Sequence, residues 1–84
     1  MTNKKILKKL IIYRSNHRGT KEMDLLLGGF VKKYISTFND ADLLDLKCIL
    51  AFEDEILHKW YFDNDKTQNI PKNNITKLLK SFKL

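Results

Sequence analysis

Between Met23 and Tyr34 the apolar residues Met23, Leu26, Leu27, Phe30, Val31 and Tyr34 fall at intervals of three and four. That spacing lines side chains along one face of an α-helix and scatters them over both faces of a strand. The same period returns in shorter form four more times. Ile6, Leu7, Leu10 and Ile11 share a face opposite Lys4, Lys5, Lys8 and Lys9. Leu43, Leu46 and Leu50 mark a third segment, and Ile56, Leu57, Trp60 and Tyr61 a fourth. Ile75, Leu78, Leu79 and Phe82 mark a fifth, with Lys77, Lys80 and Lys83 left for solvent. Glycine occurs three times and proline once, so turn-rich sheet is disfavoured and the expected fold class is all-α. The pattern predicts a compact bundle of about five short helices forming one domain over residues 1–84.

The segment ends carry their own signals. Thr2 or Asn3 is placed to cap the first helix, and Asn39 or Asp40 a third helix running through Phe52, because their side chains accept from the free N–H groups of a first turn. Glu53, Asp54 and Glu55 suit the positive end of a fourth helix. Gly19 follows Arg14, Ser15, Asn16, His17 and Arg18, where a positive φ would stop a helix sharply. From Asp63 to Asn74 the chain is polar and contains Pro71, which reads as a loop. Gly28 and Gly29 stand inside the second helix at about 1 kcal/mol each relative to alanine, and the close approach of a neighbouring helix is the expected compensation.

An 84-residue chain buries a modest share of its surface and leaves little room for an internal cleft, so function is expected on the outside. With 43% hydrophobic and 31% charged residues it has enough apolar surface to offset the entropy of ordering. No apolar run nears the roughly 20 residues that cross a bilayer, and the basic N-terminus lacks the apolar stretch of a secretory signal and the arginines of a transit peptide. A cytoplasmic protein is expected. Cys48 is the single cysteine, which excludes an internal disulfide; among Leu46, Ile49 and Leu50 it reads as a buried thiol.

No arrangement of side chains points to catalysis. His17 and His58 are far apart, no Cys, His or carboxylate spacing matches a zinc site, and Gly28-Gly29 lacks the Lys and hydroxyl of a phosphate loop. The net charge of +6 raises a second class, a small basic nucleic-acid-binding helical protein. The charge is unevenly spread, however: Met1 to Lys21 holds seven bases and no acid, whereas residues 22–65 hold ten acids and four bases.

The segment Arg18-Gly19-Thr20-Lys21-Glu22 sets a guanidinium, a bare backbone and a carboxylate at a helix corner. Arg18 is suited to hold a carboxylate in a two-pronged pair, Gly19 to let another backbone approach, and Glu22 to accept charge-assisted bonds. The bland alternative is a glycine turn with Glu22 capping its own helix. Read onward, Arg18, Gly19, Glu22, Asp24, Leu27 and Phe30 spell RGxxExDxxLxxF, and Asp54, Leu57 and Trp60 spell DxxLxxW. Together these resemble the signature of the succinate dehydrogenase FAD assembly factors, the small flavinylation factors, over residues from about Tyr13 to Trp60. The chain departs from that pattern at His17, where a second arginine is common, at Glu55, where proline is frequent, and at Gly28-Gly29.

The resemblance implies a five-helix assembly factor, not an enzyme, that binds the flavoprotein subunit of succinate dehydrogenase. It would hold the FAD domain in a state in which a histidine of that subunit bonds the flavin. The cofactor chemistry would then belong to the partner, with no FAD bound stably by this chain and no metal. Arg18, Gly19 and Glu22 would form the main contact surface, with Arg14, His17 and Asp24 beside them; Leu27, Phe30, Leu57 and Trp60 would be core. The related flavoprotein of fumarate reductase is a second candidate partner.

Overall fold

The computed structural model describes residues 4–83. In chain order these form α1 (Lys4–Asn16), α2 (Lys21–Tyr34), a 3-10 turn (Ile35–Thr37), α3 (Asp40–Leu50), α4 (Asp54–Phe62) and α5 (Asn74–Ser81). The expected all-α arrangement of five short helices is the observed one. The proposed cap at Thr2 or Asn3 lies outside the described residues.

The helix starts are set by short polar side chains. Thr20 caps α2 by accepting from the Met23 N–H at 3.3 Å. Asn39 caps α3 in a reciprocal box, accepting from Asp42 N at 2.8 Å while the Asp42 carboxylate accepts from Asn39 N at 3.3 Å. Asn73 and Thr76 form the same box at α5, each bond 2.9 Å. The third helix stops at Leu50 rather than Phe52, because a tight bend in which Phe52 N donates to Ile49 O at 3.1 Å replaces its last turn.

The core follows the strongest period. Met23, Leu26, Leu27, Phe30 and Val31 of α2 are buried and meet Ile11, Leu43, Leu46, Ile49, Leu57, Ile75 and Leu79 from the other helices. An aromatic group closes the far end, where the Phe30 and Phe82 rings meet edge to face at 5.6 Å and Phe30 and Tyr34 lie 5.2 Å apart.

Four readings are corrected. On α1 the buried seam is Leu7, Ile11 and Ser15 at intervals of four, while Ile6 is 64% exposed; a helix lying against both α2 and α3 buries one narrow line. Cys48 is exposed, because Leu43, Leu46, Ile49 and Leu50 already define the inner face of α3 and residue 48 lies a half-turn from Leu46. Lys80 is half-buried, with its ammonium donating to the Trp60 carbonyl and, at 3.3 Å, to the Tyr61 carbonyl. Trp60 is only half-buried, packed on the core from outside.

The glycine pair divides. A Cβ on Gly28 would lie 2.6 Å from Asn16 Oδ1 at the end of α1, the close approach expected of a neighbouring helix, whereas one on Gly29 would sit at an ordinary 3.7 Å from the Phe82 ring. Among the described residues no helix is long and apolar enough to cross a membrane.

Candidate functional site

The end of α1 and the start of α2 meet the bend between α3 and α4, and Arg18 joins them. Its Nε donates to Asp54 Oδ1 at 2.7 Å, one terminal nitrogen donates to Leu50 O and the other to Phe52 O, both at 2.8 Å. Leu50 ends α3, so its carbonyl is one of those a helix leaves without an internal partner. The second Asp54 oxygen accepts from the Gly19 N–H. Asp24, in the first turn of α2, accepts from the Arg18 N–H at 2.7 Å. Two residues of one motif thus clasp the leading aspartate of the other.

The clasp is mostly dry: the Arg18 side chain is 9% exposed and that of Asp54 19%. In such surroundings a charge left without its partner is expensive, so the clasp sets the shape of the corner. The expectation that Arg18 offers its fork to a partner's carboxylate is therefore corrected, since its nitrogens are committed to Asp54 and the α3–α4 bend. Gly19 also differs from expectation. No glycine has a positive φ; what residue 19 needs is space, because a Cβ there would come within 2.9 Å of Asp54 Oδ2.

The other four candidates divide by whether they are engaged. Asp24 is half-buried and turned to the backbone of the corner. Glu22 is exposed in the first turn of α2 and, among the described residues, its carboxylate has no hydrogen bond or ion pair; Thr20, not Glu22, caps the helix. His17 Nδ1 lies 2.7 Å from Tyr13 O, which puts the ring proton on that nitrogen because a carbonyl only accepts. Its ring stacks on Tyr13 at 4.0 Å. Arg14 lines a shallow pocket of about 380 Å³ with Tyr13, His17, Arg18, Leu50 and Ala51, and its guanidinium has no partner among the described residues. Outside the clasp the corner thus presents a free carboxylate, a free guanidinium and an aromatic pair.

Sequence reasoning missed Asp54 as the partner of Arg18, although the second motif begins with it. It also missed Tyr13, which the structure leaves 61% exposed and which nothing in the apolar spacing of α1 marks out.

Comparison with known proteins agrees with the paired motifs. A family model described as flavinator of succinate dehydrogenase matches residues 9–83. The FAD assembly factor SdhE of Acetobacter pasteurianus is 44% identical over 50 residues, covering 60% of this chain and 46% of that protein. The mitochondrial succinate dehydrogenase assembly factor 2 of Saccharomyces cerevisiae is 38% identical over 61 residues, covering 73% and 38%. Its Dictyostelium discoideum counterpart is 32% identical over 74 residues, covering 88% and 50%. The chain spans half or less of the length of each of these relatives. With a match reaching from the middle of α1 to the residue after Phe82, this chain belongs to the family of succinate dehydrogenase flavinators.

Proposed function

We propose that this chain is an assembly factor, not a catalyst, that promotes covalent attachment of FAD to the flavoprotein subunit of succinate dehydrogenase by binding that subunit at the Gly19–Glu22 corner. The observation that carries this reading is the clasp. By tying Arg18 and Gly19 to Asp54 it holds the corner in one shape while leaving Glu22 and Arg14 uncommitted. A prearranged surface loses less freedom on association than a mobile one. The reactive groups are the flavin and a histidine of the partner, with FAD held by that partner. This chain acts by binding one conformation of the flavoprotein better than others, and its effect is bounded by that difference in affinity. The flavoprotein of fumarate reductase is a second client on the same reading.

The test mixes the chain with apo flavoprotein, FAD and a dicarboxylate and follows flavin fluorescence retained on a denaturing gel. Wild type is expected to speed covalent attachment. Glu22→Ala is expected to melt within about 0.5 kcal/mol of wild type, as a free surface residue should, yet to lose most of the acceleration. Gly19→Arg tests corner and clasp together, since its side chain must displace Asp54. Full acceleration by Glu22→Ala and Gly19→Arg alike, or none by wild type with a competent flavoprotein, would overturn the proposal.

A further inference from the structure

At the opposite end of α4 from Asp54, the 63–73 loop and α5 enclose a cleft of about 890 Å³ whose lining includes Trp60, Lys66, Lys72, Asn74, Lys77 and Lys80. This is within the range of cavities that hold small ligands. Four lysines and one acid, Asp65, line it. The Asp65 carboxylate is tied into its own loop by Thr67 Oγ1, by Thr67 N at 2.9 Å and by Gln68 Nε2 at 3.1 Å. The ammonium groups of Lys66, Lys72 and Lys77 have no ion pair or hydrogen bond among the described residues.

We propose that this cleft takes an acidic peptide segment of a partner protein. The unpaired ammonium groups of Lys66, Lys72 and Lys77 are available to its carboxylates. The amides of Asn64 and Asn74, also in the lining and without partners among the described residues, are available to its backbone. A nucleic acid fits less well, because single strands are held by stacking bases on open aromatic faces and the Trp60 indole is covered by the Lys80 ammonium at 4.7 Å. Exposed ion pairs are individually weak, so binding rests on several together and falls with salt.

Trp60 is the only tryptophan in the chain and lines the cleft, so its emission reports occupancy. Titration of the full chain with a short unlabelled peptide alternating glutamate and leucine is expected to give a saturable change in that emission. The exposed pair Lys72→Glu/Lys77→Glu is expected to weaken binding by about tenfold or more with an unchanged melting curve, while Lys8→Glu/Lys9→Glu on α1 shifts it by less than about twofold. Three results would each overturn the site: no saturable change, equal weakening by both double variants, or displacement of the peptide by an oligonucleotide of equal charge at lower concentration. Glu22→Ala is expected to leave this binding intact, so the cleft and the corner stand or fall separately.

Discussion

Arg18 and Lys80 are both cations set against carbonyls where a helix ends, Arg18 against Leu50 and Phe52 and Lys80 against Trp60 and Tyr61. Around Arg18 a carboxylate completes the arrangement, and the charge is cancelled inside the molecule. Around Lys80 there is an indole face and, among the described residues, no ion pair, with Lys83 adding a like charge, so burial first and Lys83 second hold its ammonium below its ordinary pKa of 10.5. The same capping device thus gives a closed corner in one place and an open cleft in the other. What separates them is whether a distant residue supplies the counter-charge: Asp54 is 36 positions from Arg18, whereas Asp65 spends its carboxylate on residues two and three positions away.

The largest break in that contrast is expected from Arg18→Ala. It strands Asp54 and the two carbonyls and is expected to cost about 3–5 kcal/mol, lowering the thermal midpoint followed by circular dichroism by more than about 10 °C. A loss under about 1 kcal/mol, the scale of a surface pair, would show that the corner holds without its clasp.

At the other end, Gly29→Ala is expected to stabilise the chain by about 0.5–1 kcal/mol through helix propensity, because the added methyl meets only Phe82 at an ordinary distance. Chemical denaturation measures it, and destabilisation instead would mean that the aromatic group around Phe82 tolerates no further contact.

The smallest effect is a pH dependence. With the folded pKa of Lys80 lowered, the unfolded chain binds more protons in the window just below pH 10.5, so stability rises with pH across that window. Wild type is therefore expected to gain on Lys80→Met as pH is raised through it. A constant difference would place the Lys80 ammonium in water in the folded chain.

The sequence made the inner face of α2 legible in full, because six apolar residues at strict spacing leave one solution, and a cap at Asn39 or Asp40 was legible because its chemistry is local, the structure choosing Asn39. Ile6 and Cys48 were misplaced because α1 and α3 carry more apolar residues than their seams bury, so period alone could not select the buried line. Both motifs were visible at the candidate site, but not their meeting. Arg18 and Gly19 could as well have faced outward, and only the folded chain brings Asp54 between them.

The bonds of the clasp join residues 32 to 36 positions apart, so they exist only once two helical hairpins have closed on each other, with the loss of chain freedom that entails. The corner is therefore not portable. A synthetic peptide carrying residues 13–34 holds the whole RGxxE motif but neither the aspartate nor the carbonyls that shape it. An inhibitor designed to imitate this surface must copy a fold rather than a stretch of sequence, and a chain caught half-folded has no such surface to offer a partner.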